Sequence, residues 1–296
     1  MPLLGELSAF FTALLWSCGS IVFVAATKRL SSYQVNITRL ILAAIYLAIL
    51  IPLMQLNVNL SRTQIVNLSI SGLIGLTLGD TFLFIAFQEI GARLSMLIMS
   101  AAPAIAAVLA YFILSETLSI IGILGILVTL FGVSIVVLDR NAKGSDRAPV
   151  TMSGIVYAMF GAVGQGIGLI FAKMAFREAE IDGFVATEIR ILASLVFLIP
   201  IAVLTKRYMN PIRMFSEERK ASWLVVLGSI LGPFLGISFS LIAIKHTNVG
   251  IAATIMAITP ILMLPLVRIV YKEKLNWRAI VGAFTAVAGV AILFLR

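Results

Sequence analysis

The sequence is a succession of apolar runs, each about 20 residues long, broken by short connections rich in charge and turn formers. About 20 apolar residues is the length at which an α-helix crosses the hydrocarbon of a bilayer. Ten such runs can be read, at 4–26, 33–53, 66–88, 93–114, 119–138, 151–175, 184–204, 222–244, 249–271 and 276–295. Together they occupy most of the 296 residues and leave no room for a soluble catalytic domain. Composition closes the alternative. With 61% hydrophobic and 12% charged residues, a water-soluble sphere could not cover its own surface, since ordinary domains are about 25% charged. A closed barrel is the other lipid-compatible plan, but its strands need about ten residues of in–out alternation. These runs are longer and apolar on all sides. The expected fold is therefore an all-α integral membrane protein with ten transmembrane helices.

The charges then give orientation rather than a partner. The net charge is +9, which in a soluble protein would suggest nucleic acid. Here the basic residues sit in connections between spans, the pattern that orients membrane helices. The odd-numbered connections hold Lys28, Arg29, Arg93, Arg140, Lys143, Arg147, Lys206, Arg207, Arg213, Arg219, Lys220, Lys272 and Lys274; the even-numbered ones hold Arg62, Arg177 and Lys245. This bias puts the odd connections in the cytoplasm and both termini outside. Cys18 is the only cysteine, so no internal disulfide is expected, and His246 is the only histidine. No metal site and no cofactor are expected. The first run is preceded only by Glu6, without the positive region of a cleaved signal peptide, and reads as a retained helix.

The chain repeats itself. Residues 72–138 align with 229–295 without a gap at an offset of 157, and 18 of the 67 positions are identical. The pairs include Gly75 with Gly232, Gly79 with Gly236, Pro103 with Pro260, Glu116 with Glu273, Gly125 with Gly282 and Gly132 with Gly289. At an offset of 149 the first span matches the sixth, with Gly5 on Gly154, Ala13 on Ala162 and Gly19 on Gly168. Two repeats follow, 1–140 and 150–296. Five crossings are an odd number, so the second repeat enters the membrane upside down. Inverted repeats are the common plan of secondary transporters, with the solute near the midplane between the halves.

These features together resemble the drug/metabolite transporter superfamily, EamA type. The resemblance rests on a mid-span proline followed by an apolar stretch and an E-x-L turn in each repeat. The segments are Ala102-Pro103 to Ser115-Glu116-Thr117-Leu118 and Thr259-Pro260 to Lys272-Glu273-Lys274-Leu275. It also rests on the glycine-spaced helices Gly125–Gly132 and Gly282–Gly289, on Arg39 and Arg190 early in the second helix of each repeat, and on Trp16 in the first. The resemblance implies secondary exporters or exchangers of amino acids, metabolites or drugs, with a central cavity open to one side at a time. It also implies termini in the cytoplasm, which the charge bias contradicts.

The candidate site residues follow from burial cost. Asp80 is the acidic residue nearest the centre of a span, and a charge there costs several kcal/mol unless it faces a cavity. Thr77, Asp80, Thr81, Phe84 and Gln88 share one helical stripe. The repeat mate of Asp80 is Ile237, so the carboxylate breaks the internal symmetry, as a device needed once would. It is expected to bind a coupling proton or the amino group of the solute, or else to be a structural carboxylate paired with a buried cation. Trp16 and Gln165 are repeat mates near mid-span and should project into the cavity, since an unpaired amide in lipid is costly. Pro103 and Pro260 should kink their helices and free the carbonyls of Met99 and Met256. Ser240 lies on an interior stripe of the eighth span. Arg39 and Arg190 read either as snorkelling anchors or as solute contacts. Glu116 and Glu273 read as interfacial caps.

The expected function is a secondary active transporter, exporting small metabolites or amino-acid-like solutes by alternating access, with protons as the candidate coupling ion. It is expected as a monomer in the cell membrane of a bacterium or archaeon, in contact with lipid and a small-molecule solute and not with nucleic acid. A channel or structural subunit is the alternative. A membrane enzyme fits worst, because clustered nucleophiles and metal ligands are missing from the sequence.

Overall fold

The computed structural model describes residues 3–113, 119–137, 150–204, 208, 210–247, 252, 255–272 and 276–294. Glu116 and Glu273 lie outside the described residues. Every element is helical: α1 Leu4–Thr27, α2 Ser32–Leu53, α3 Arg62–Gly72, α4 Asp80–Met99, α5 Ala102–Ile113, α6 Ile120–Val137, α7 Met152–Glu178, α8 Gly183–Leu204, α9 Pro211–Glu217, α10 Arg219–Ser229, α11 Ile237–His246, α12 Thr259–Val270 and α13 Trp277–Phe294. Hydroxyl caps start several of them. Ser31 accepts from the Gln34 N–H at 3.1 Å, Ser61 and Gln64 form a reciprocal capping box, and Thr151 accepts from the Gly154 N–H at 3.1 Å. Such caps are each worth about 1 kcal/mol.

Between α3 and α4 the chain runs through a π-helical turn, Leu73–Gly79, and between α10 and α11 through another, Ile230–Gly236. The two turns are repeat mates at the offset of 157. Each joins its flanking helices into one rod. Six rods are long and apolar enough to cross a membrane: Leu4–Thr27, Ser32–Leu53, Arg62–Met99, Met152–Glu178, Gly183–Leu204 and Arg219–His246. Four shorter apolar helices occupy the remaining expected positions. The chain is a multi-pass membrane protein. Its large apolar side chains also face outward, with Leu204 82%, Ile120 78% and Phe112 73% exposed, as lipid-facing surfaces require.

Several boundaries differ from the sequence reading. The third span begins at Arg62, because the capping box nucleates it there. It continues to Met99 with a kink at Gly91, whose φ of 74° and ψ of 173° glycine adopts readily. The expected span 93–114 is not one kinked helix. It breaks at Ser100–Ala101, and Pro103 sits in the first turn of α5, where its missing N–H costs nothing. Pro260 does the same in α12. The connection 205–221 contains the short helix α9, which buries Met214 completely. Arg93, grouped above with the connection cations, is buried.

Three apolar clusters hold the rods together. One joins α2 to α8 through Leu40, Leu47, Ile191 and Leu198. A second joins α1, α4, α9, α10 and α12 through Phe23, Phe84, Met214, Val225 and Met263. A third joins α4 to α7, α12 and α13 through Ile90, Ala158, Leu264 and Ala286. α6 and α13 pair along the repeat-related glycines. A Cβ on Gly132 would stand 2.8 Å from the Ala286 Cα and the Gly282 carbonyl oxygen. Gly132→Val should therefore cost about 1–3 kcal/mol, read as a lower denaturation midpoint in detergent. An unchanged midpoint would show that the seam has slack.

Candidate functional site

Each π turn packs against helices of the opposite repeat, the first against α7 and α8 and the second against α1 and α2, and their glycines permit the close approach of four residues. Trp16 of α1 lies on Gly236, with its Nε1 2.7 Å from where a Cβ would stand. Its repeat mate Gln165 of α7 lies on Gly79, the mate of Gly236, with its backbone N 3.3 Å from such a Cβ. The two arginines obey the same symmetry. An Nη of Arg39 lies 3.8 Å from a Cβ built on Gly232, and an Nη of Arg190 lies 3.4 Å from one built on Gly75. Each arginine thus crosses to the π turn of the opposite repeat. Close approach of this kind is what glycine in membrane helices permits.

Around these groups lies a cavity of about 1180 Å³ including its mouth. Trp16, Arg39, Asp80, Met99, Pro103, Gln165, Arg190, Ser240, Met256 and Pro260 all line it, together with Phe23, Phe84, Phe87, Met96 and Ile237. Ser240 spends its hydroxyl on its own helix, donating to the Ile237 carbonyl at 2.7 Å. The carbonyl of Met256 accepts from the Thr259 hydroxyl at 2.7 Å; with Pro260 in the first turn of α12 it is not a carbonyl freed by a mid-helix kink.

The expected polar stripe of α4 divides. Asp80 reaches the cavity. Thr77 instead donates to the Ser194 carbonyl at 3.2 Å, and Thr81 accepts from the Asn36 amide at 3.0 Å. Gln88 donates to the Thr27 and Leu30 carbonyls at 2.8 and 3.2 Å. Thr77 and Thr81 therefore belong to helix–helix seams. For Thr77 the reason is the π turn, which rotates the residues before Asp80 off the simple helical stripe.

Asp80 is 5% exposed and its two oxygens are used by different repeats. Oδ2 pairs with the Arg39 guanidinium of the first repeat. Oδ1 accepts from the Gln165 amide of the second at 2.6 Å, and the same amide also reaches the Gly75 carbonyl at 3.1 Å. Asn36, one turn before Arg39, accepts from its Nε at 3.0 Å and from an Nη at 2.8 Å. The rings of Phe84 and Phe23 flank the guanidinium, 4.6 and 5.4 Å from ring centroid to Cζ. Arg39 is therefore a buried cation with its own counter-ion and not a snorkelling anchor. Arg190 is equally buried, at 4% exposed, but its Nε has no partner among the described residues.

Sequence reasoning missed Asn36 and Phe23 as builders of this site and gave Phe84, although it shares the Asp80 stripe, no role in it. The spacing Asn36-x-x-Arg39 was a legible signal, because residues three apart share a helix face. The phenylalanines were not legible, since an interior and a lipid-facing phenylalanine look alike in an apolar run. It also overlooked Glu188 in α8, which is half-buried with one carboxylate oxygen unbonded.

The cavity has one closed end. On the side of the basic connections, Phe23 stacks edge-on against Phe84 at 5.0 Å and Phe84 against Phe87 at 5.5 Å. Met214 and Met263 complete this plug. At the other end, among the described residues, the repeat-related helices α7 and α11 lack packing comparable to that of α1 on α4. The positions equivalent to Phe23 and Phe84 there are Ala172 and Leu241.

Comparison with known proteins gives a family. Residues 3–138 and 152–295 match the model of the EamA-like transporter family. A solved crystal structure superposes with a TM-score of 0.70 at 18% identity, covering 98% of this chain and 96% of that one. That likeness concerns the fold alone. No curated protein matches.

Proposed function

From the premise that the chain belongs to the EamA-like transporter family, we propose that it is a secondary active transporter. In this reading it exports small metabolites or amino-acid-like solutes by alternating access, with the lined cavity as the solute site. The observation that carries the reading is the cavity between the repeats with an aromatic plug of Phe23, Phe84 and Phe87 at one end and, among the described residues, no comparable packing of α7 on α11 at the other. Exchange of these two arrangements between the repeats is the motion that inverted repeats make cheap. A channel would want a continuous path, which the plug interrupts.

Asp80 has a proposed role as the coupling acid. Each of its oxygens already has a protein donor, one from each repeat. That leaves little room for a solute amino group as its ligand. Uptake of a proton would weaken both bonds at once and loosen the tie between repeats. Reconstituted vesicles given radiolabelled amino acids and an imposed pH gradient test the reading. Accumulation above the equilibrium level is expected. Mere equilibration would identify a channel.

The charge bias places the plugged end in the cytoplasm and both termini outside, in a proposed bacterial or archaeal plasma membrane. A reporter fused after Arg296 should then behave as non-cytoplasmic. A cytoplasmic signal would reverse the orientation and make the observed state inward-facing.

A further inference from the structure

The pseudo-two-fold symmetry makes Arg39 and Arg190 equivalents in position, and they differ in the partners that surround them. Both are buried, both line the cavity, and each rests against the π-turn glycine of the opposite repeat. Arg39 has a carboxylate in Asp80 and an amide oxygen in Asn36. The position equivalent to Asp80 is Ile237, which lines the cavity without a polar atom. The position equivalent to Asn36, at the arginine offset of 151, is Thr187, whose hydroxyl donates to the Gly183 carbonyl at 2.7 Å. Arg190 is therefore left with an unbonded Nε and no carboxylate in ion-pairing distance among the described residues. Only the more distant field of Asp80 compensates it.

A buried guanidinium without a counter-ion is expensive, and here it opens onto a cavity. We propose that the solute supplies the missing carboxylate: Arg190 binds the carboxylate of a solute whose remainder is apolar or aromatic. The lining of the same cavity sets the second half of that description, since Trp16, Phe23, Phe84 and Phe87 offer ring faces and edges rather than hydrogen bonds. Arg39 with Asp80 is then the internally satisfied version of the same arrangement. This inference rests on the transporter reading for its meaning, but its site can be tested by binding alone.

The probe is 3-phenylpropionate, compared with its neutral amide, 3-phenylpropionamide, and with 2-phenylethylammonium. Binding is read from the denaturation midpoint of the detergent-solubilised chain and from quenching of Trp16, the tryptophan in the cavity; Trp223 and Trp277 are exposed on the outside. The carboxylate should bind about tenfold or more tightly than the amide, as expected for a charge-assisted bond. Arg190→Gln should remove that preference. Ile237→Asp should remove it too, by giving Arg190 an internal partner, and it keeps the test valid if Arg190→Gln fails to fold. Equal binding of carboxylate and amide, tighter binding of the ammonium, no binding of any probe, or a preference that survives Ile237→Asp would each overturn the proposal. Counterflow of labelled 3-phenylpropionate in vesicles is scored separately. Arg190-dependent binding without counterflow would leave the site standing and count against transport. Counterflow of other solutes without carboxylate preference would do the reverse.

Discussion

Asp80→Asn is expected to abolish accumulation driven by a pH gradient and to lower stability by about 3–5 kcal/mol, the cost of stranding one member of a buried ion pair. From sequence alone the variant would be expected to fold almost normally, because asparagine keeps the shape. The structure changes that expectation. Arg39 is 5% exposed and its counter-charge is Asp80; asparagine leaves it with neutral partners only. The double variant Asp80→Asn, Arg39→Met removes both charges and should regain most of the stability, since replacing both partners of a buried pair is often neutral. It should not regain accumulation. Denaturation midpoints of the two single variants and the double variant, with vesicle uptake for each, separate the roles. If Asp80→Asn still concentrates solute with the wild-type pH dependence, Asp80 is scaffold.

The second large effect is expected at Gly72. A Cβ there would stand 2.8 Å from the backbone carbon and 2.9 Å from the Cα of Arg190. Those atoms are helix backbone and cannot rotate away, so Gly72→Val must push α8 off α3. Overpacking of this kind costs about 1–3 kcal/mol and sometimes more. It also moves the residue that carries Arg190, so loss of stability and loss of carboxylate preference should appear together. The repeat mate is a built-in contrast. Ser229 already has a side chain in the equivalent place, bonded to the Val226 carbonyl at 2.7 Å, and Ser229→Ala should change the midpoint little. Wild-type stability in Gly72→Val would mean that α3 and α8 are not in the close contact described here.

Much of the site was legible before any coordinates. Asp80, Trp16, Gln165, Arg39 and Arg190 stand out because a polar or charged side chain in an apolar run must be explained, and all five line the cavity. Thr77 and Thr81 misled, because threonine can satisfy itself on a neighbouring helix and needs no cavity. The phenylalanine plug was invisible for the opposite reason. Nothing in a membrane sequence distinguishes an aromatic residue that meets lipid from one that meets another helix.

The sequence by itself determined the solvent, the helical class, the duplication and the places where charge must be sheltered. These follow from run length, periodicity and the cost of burying polarity, which are local or additive properties. Tertiary structure alone decided which partner each charge takes. Gln165 lies 85 residues from Asp80 and Gly232 lies beside Arg39 from the other repeat, and such pairings depend on how two rods cross at their glycines. It also decided that one arginine is neutralised and its twin is not. Ile237 replaces a carboxylate in the sequence, but only the crossing of α8 over the first π turn turns that substitution into an unpaired cation facing a cavity.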